Sequence, residues 1–242
     1  MKRNPFFLAI GAALALVASL SSCNNKEAEV KELTPMEYVM SLGMGWNLGN
    51  SMDAHENGVS GETLWHDQAA TQQTFDSVKA AGFASVRIPV TWLGHIGAAP
   101  EYKIEQAWMD RVKEIAGYAK NAGLKAIVNI HHDGHADQGK ADELSWLKLE
   151  AASNDSILND SIKAKLKAVW TQIAEAFKEE GDWLIFETMN EIQDGSWGGG
   201  RNQTDGGKQY QVLNEWNQVC VDAIRAVGGE NEKRYIGVPG YV

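Results

Sequence analysis

The chain has 242 residues, a formal net charge of −10, nine tryptophans and two cysteines. The acidic balance excludes nucleic acid and an anionic membrane face as partners, because both require a basic surface. Two cysteines exclude a disulfide scaffold, so stability must come from an ordinary hydrophobic core.

At the amino terminus, Lys2 and Arg3 precede an unbroken small and apolar run over residues 6–18, followed by Leu20-Ser21-Ser22-Cys23. A basic tip, a short apolar run and small residues before a cleavage point describe an export signal, too short to span a membrane comfortably. Leu-Ser-Ser-Cys resembles the bacterial lipoprotein box, which implies removal of residues 1–22 and a lipid anchor on Cys23. The alternative is an ordinary secretory signal with an incidental cysteine. Either way the protein is expected outside the cytoplasm, on the bacterial cell envelope or secreted, and its only membrane contact is the anchor. Residues 23–34 carry Lys and Glu with almost nothing to bury and read as a tether. The folded domain is expected over residues 35–242 as a monomer.

From Met44 onward, short apolar runs alternate with longer amphipathic ones. Strands are predicted over residues 44–48, 85–90, 125–130, 184–189 and 235–238. Helices are predicted over 71–81, with Phe75 and Val78 inward, and over 106–122, with Met109, Val112, Ile115 and Ala119 inward. A third covers 161–177, with Ile162, Leu166, Val169, Ile173 and Phe177 on one stripe and Asn159 or Asp160 as its cap. The fourth covers 210–227 and is closed by Gly228 and Gly229. Cys220 lies in it beside Val219 and Ile224, as a small buried apolar residue and not a nucleophile. Strand followed by helix, five times over, means a parallel sheet covered by helices.

An open doubly wound sheet and a closed eightfold barrel both fit that order. The first strand runs into Trp46-Asn47-Leu48-Gly49-Asn50, without the Gly-x-Gly-x-x-Gly spacing that cradles phosphate in doubly wound enzymes. Polar groups, moreover, cap four of the five strands: Asn47, then Arg87, then His131 and His132, then Asn190 and Glu191. In a barrel they converge on one mouth. The fold class is therefore read as α/β, a TIM (β/α)8 barrel truncated after about five βα units. The fourth strand opens as the apolar run Trp183-Leu184-Ile185-Phe186 and ends in groups no core accepts unpaired, which makes Glu191 the candidate for chemistry. Trp65, Trp92, Trp146 and Trp197 fall in apparent loops, where flat rings stack on sugar faces; the alternative is that some are folded onto the core. His131-His132-Asp133 raises the question of a metal. Hydrolytic zinc barrels usually also offer a His-x-His on the first strand, which this chain lacks, so neither metal nor organic cofactor is expected.

Gly45-Trp46-Asn47-Leu48-Gly49-Asn50, Val86-Arg87-Ile88-Pro89, Asn129-Ile130-His131-His132 and Phe186-Glu187-Thr188-Met189-Asn190-Glu191 together are similar to glycoside hydrolase family 5. Glu62-Thr63-Leu64-Trp65 and Trp197-Gly198-Gly199 look most like its subfamily 4 of endo-β-1,4-glucanases and xyloglucanases. The resemblance implies retaining cleavage of a β-1,4-linked polysaccharide, with Glu191 as general acid and base and Asn190 holding the sugar 2-hydroxyl. It also implies that Arg87 bridges toward the family's nucleophile and that His131, with His132 beside it, lines the same subsite. The remaining ligand contacts expected are Asn47, Trp65 and Trp197. Such chemistry needs one carboxyl that arrives protonated and one that arrives charged, about 5 to 5.5 Å apart.

The family's nucleophile follows a seventh strand, and only five strands are counted before Val242. No residue here takes its role, Asp133 and Asp194 included. A chain of this kind is read as the amino-terminal part of a larger product, inactive alone. A surface glycan-binding lipoprotein without hydrolysis and a β-mannanase of the same family remain the competing readings.

Overall fold

A computed structural model describes residues 33–134, 145–196 and 199–241. The expected export signal, Cys23 and Trp197 lie outside the described residues.

The first element, α1 (Pro35–Ser41), was not foreseen from periodicity. It is set by local chemistry: Thr34 and Glu37 form a reciprocal capping box, and Pro35 occupies the first turn. This helix places Tyr38 at the amino-terminal end of the sheet. The Tyr38 ring stacks on Tyr235 at 3.6 Å, its hydroxyl donates to the Asp182 carbonyl, and Lys125 Nζ lies 3.9 Å over it.

Among the described residues, one sheet holds β1 (Gly45–Asn47), β4 (Ser85–Ile88), β5 (Lys125–Asn129), β6 (Leu184–Glu187) and β7 (Ile236–Gly237), in that spatial order. Every neighbouring pair in it is parallel. Between β1 and β4 the chain forms a separate hairpin, β2 (His55–Glu56) and β3 (Val59–Ser60), and then α2 (Gln72–Ala80). The hairpin turns on Asn57 and Gly58, whose φ values of 51° and 81° are those that an Asn-Gly two-residue turn supplies. The sequence reading passed over that signal.

The remaining helices are α3 (Gln106–Asn121), α4 (Leu149–Asn154), α5 (Ser156–Ala176) and α6 (Lys208–Val227). α2 packs on α3, α3 on α5 and α5 on α6, so the crossover helices form one layer on one side of the sheet. A doubly wound protein would divide them between both sides, and the barrel reading is the correct one.

The helix predicted over 161–177 begins five residues earlier, at Ser156, and its cap is neither Asn159 nor Asp160. Asp155 Oδ1 accepts from the N–H groups of Ile157 and Leu158 at 2.9 and 3.1 Å. Ile157 is 81% exposed and breaks the apolar stripe that marks the rest of the helix. Asn159 is instead buried, accepting from Trp216 Nε1 at 2.7 Å. The first predicted strand loses Met44 and Leu48, and the last helix starts at Lys208.

Strand alternation fixes what each face carries. Val86, Ile88, Ala126, Val128, Leu184 and Phe186 are fully buried under the helices. Arg87, Ile127, Ile185 and Glu187 line the opposite face, in an open groove of about 390 Å³ that also meets Val39 and Ile236. Below the sheet, Arg234 ties β6 to the end of α5 by donating to the carbonyls of Phe177, Glu180 and Leu184 at 2.9, 2.6 and 2.9 Å. The carbonyl at the helix end and those of the turn and strand after it are thereby given a donor. Among the described residues β1 and β7 are the outer strands, each paired on one side only, and the open inner face is that of an unclosed barrel.

Candidate functional site

The site grows from the carboxyl ends of β1, β4, β5 and β6. Arg87 is the third residue of β4 and Glu187 the last of β6, so both point inward. Arg87 Nε donates to Glu187 Oε2 at 2.7 Å and a terminal nitrogen to Oε1 at 3.1 Å, a two-pronged, charge-assisted pair. The same terminal nitrogen donates to Asn190 Oδ1 at 2.8 Å, and the other reaches Asn47 Oδ1 at 3.4 Å. One guanidinium thus joins three strand ends.

Glu187 is the residue the sequence reading missed. The resemblance puts Arg87 beside a nucleophile beyond this chain, yet the carboxylate it grips here is Glu187, which the motif contains but which received no role. The signal was strand parity: Glu187 alternates with Ile185 on the inner face, where a carboxylate needs a cation. Next to it Asn129, fully buried, donates to Glu187 Oε2 at 3.2 Å and to His131 Nδ1 at 3.1 Å.

Beyond β6, Thr188 and Met189 are buried. The Thr188 hydroxyl bonds Asn217 Oδ1 at 2.6 Å and its carbonyl accepts from Trp170 Nε1 at 3.1 Å. The chain held by these bonds then turns at Glu191, which is exposed and has φ 41°. A glutamate in the left-handed region carries backbone strain on the order of 1–2 kcal/mol.

His131 and His132 meet edge to face, their ring centres 4.4 Å apart. Burial, and then the charges of His132 and Arg87, push the pKa of His131 down to about 2, so its ring is neutral. His132 also meets Trp65 at 5.7 Å and His55 at 5.4 Å. Trp65 is 41% exposed and donates to the His55 carbonyl at 3.0 Å. Among the described residues it is the loop tryptophan that stands most exposed beside the histidines.

Trp92 does not stand there. It is fully buried and its Nε1 donates to the Asn129 carbonyl at 3.0 Å, so for Trp92 the alternative of a ring folded onto the core holds. Trp146 is half-buried and donates to Asp133 Oδ1 at 2.7 Å. Asp133 is itself wholly buried and also accepts from the Trp92 N–H at 2.8 Å. Burial raises its pKa to about 6 against these hydrogen bonds. Burial would also raise the pKa of Asp194, but hydrogen bonds from Ser196, Gln209 and Tyr241 outweigh it and hold the value at about 2. Both carboxyls hold loop backbone and side chains in place. Burial pushes the Cys220 thiol far up, as for an inert core residue.

One group of possible metal ligands does form: Asp53, His131 and His132 bring one donor atom each within 4.8 Å of one another. Asp53 comes from the loop after β1, where the sequence reading looked only for histidines.

Parallel βα units with one helix layer, and a cationic fork, amides and a neutral histidine gathered where the strands end, define part of a TIM barrel with its ligand mouth at the carboxyl ends. A family model described as Cellulase (glycosyl hydrolase family 5) matches residues 49–242, and the chain belongs to that family. It is 42% identical over 214 residues to Endoglucanase B of Clostridium cellulovorans, covering 87% of this chain and 43% of that protein. Among solved structures it is similar to a Bacteroidetes-affiliated family 5 cellulase linked with a polysaccharide utilization locus. That match has 60% identity and a TM-score of 0.83 and covers 85% of this chain and 53% of the other. A broad-specificity endoglucanase of family 5, subfamily 4, from Bacteroides salanitronis matches at 59% identity and TM-score 0.82, over 88% of this chain and 55% of that one. The chain spans about half the length of these relatives.

Proposed function

We propose that the full-length protein is a retaining endo-β-1,4-glucanase acting on β-glucan or xyloglucan. In this reading the present chain supplies the acid/base half of the site. Glu191 protonates the glycosidic oxygen as the bond breaks and later takes a proton from the water that releases the sugar. The nucleophile comes from sequence outside these 242 residues. The observation that carries the reading is the Arg87–Asn190 hydrogen bond of 2.8 Å. Because Asn190 Oδ1 is taken by a cation, its Nδ2–H is left for a ligand hydroxyl, beside Glu191. The endoglucanase names of the relatives support the same class of substrate.

Export and anchoring belong to the proposal too. Residues 1–22 act as a lipoprotein signal, Cys23 bears the anchor, residues 23–34 are the tether, and a monomer works on polysaccharide outside the cell. The support is the residue pattern at the amino terminus.

The test is reducing-sugar release by the full-length protein from β-glucan, xyloglucan and mannan, with Glu191→Gln alongside. The proposal expects release from the glucans, lowered by about 10²- to 10⁴-fold in the variant. Activity that survives the substitution, or that is confined to mannan, overturns it.

A further inference from the structure

The amide of Asn129 has a single consistent orientation. The Val90 N–H donates to its Oδ1 at 3.0 Å, and an N–H has no lone pair to offer in return. Turning the amide over would set an N–H against that N–H and its oxygen against the Glu187 carboxylate. Both side-chain N–H bonds of Asn129 are therefore committed, one to Glu187 Oε2 and one to His131 Nδ1. An imidazole nitrogen that accepts carries no proton, and in a neutral ring the proton then sits on the other nitrogen.

We infer that Asn129 is a positioning residue, which fixes His131 in the tautomer with its proton on Nε2 and so presents that N–H as a donor to a hydroxyl of the bound ligand. That the ligand is a glucan rests on the proposed function; the tautomer does not. Asn129 is well placed for this task, being fully buried, paired in register with Glu187 across β5 and β6, and held at its own carbonyl by Trp92 Nε1. The arrangement also bears on the Asp53, His131 and His132 group. A cation there would need a lone pair on His131, whereas Nδ1 already accepts a hydrogen bond and Nε2 carries the proton. His131 therefore brings to the trio an N–H and no uncommitted lone pair.

Long-range proton–nitrogen NMR of the ¹⁵N-labelled full-length protein separates the two imidazole tautomers, and loss of one pattern in His131→Gln assigns the residue. The expected result is an Nε2–H pattern for His131. Asn129→Asp removes the amide N–H and places an acceptor against Nδ1, so the pattern should switch to Nδ1–H or to the imidazolium. Glu187→Gln, which leaves Asn129 intact, should keep Nε2–H. If Asn129→Asp does not fold, Asn129→Ser takes its place and should give a mixture of tautomers. An Nδ1–H pattern in the unmodified protein overturns the inference, and so does an unmixed Nε2–H pattern after the Asn129 change. Hydrolysis assays on the same samples report separately on the glucanase reading, because the spectrum does not depend on which polymer is cut.

Discussion

The Arg87–Glu187 pair offers the sharpest quantitative test of how the mouth is held together. Glu187→Leu removes a carboxylate that accepts three hydrogen bonds, at 2.7 and 3.1 Å from Arg87 and 3.2 Å from Asn129. Bonds to charged groups contribute about 1.5 to 3 kcal/mol each when water is shut out. Here the two side chains keep 26% and 23% of their surface, so water replaces part of what is lost and the cost falls to about 2–3 kcal/mol. Arg87→Met gives up the same pair and the Asn190 contact, for a similar loss. Each single variant leaves a half-buried charge without its counter-ion, whereas the double variant leaves none. The double loss should therefore fall short of the sum of the two singles by about 2 kcal/mol. Urea unfolding of the full-length protein and its three variants measures this, with each single variant also lowering Tm by about 2–4 °C. Losses that add to within about 0.5 kcal/mol would show that the two side chains are independent and refute the argument.

Glu191→Gly should abolish hydrolysis while leaving stability unchanged or up to about 1 kcal/mol higher, because glycine adopts φ 41° without strain; a clear fall in Tm would contradict this. Asp133 sets a pH dependence. Its folded pKa of about 6 lies above the ordinary 3.8, so the folded state binds more protons between those values. Its contribution to stability is then most favourable below about pH 4 and is lost as pH rises through 6. Asp133→Asn should flatten that part of the difference in stability between pH 4 and 7, and a slope equal to that of the unmodified protein would count against it. The 242-residue chain expressed alone should bind a hydrophobic dye at its open inner face and release no reducing sugar from β-glucan. Release that Glu191→Gln abolishes would show the half site to be sufficient.

The βα order and the strand ends were legible because each depends on a short-range pattern. Apolar runs such as Ile127-Val128 and the Phe75/Val78 stripe announce their own period, and Asn47, His131 and Asn190 stand out as polar groups where those runs stop. What was not legible depended on partners far along the chain. Thr34 and Glu37 spell a capping box, but nothing nearby says that the resulting helix will seat Tyr38 beneath Tyr235. Trp92 looks like a loop aromatic until the Asn129 carbonyl, 37 residues away, is seen to accept its N–H. Asp155 caps α5, yet the exposed Ile157 that follows hides the start of the helix from any search for an apolar stripe.

Strand register explains why the same residues form both core and site. In β5 the alternation that turns Val128 into the helix layer turns Asn129 into the mouth, and Asn129 lies opposite Glu187 because Val128 lies opposite Phe186. In β4, Val86 and Ile88 bury fully against the helices while Arg87 between them is left to the inner face. Slipping β4 by one residue would drive a guanidinium into that apolar layer and expose two aliphatic chains, at a cost of several kcal/mol. The hydrophobic core therefore enforces the register that sets Arg87 within reach of Glu187 and Asn190. Substitutions that loosen Val86, Val128 or Phe186 should accordingly disturb the polar site before the barrel unfolds.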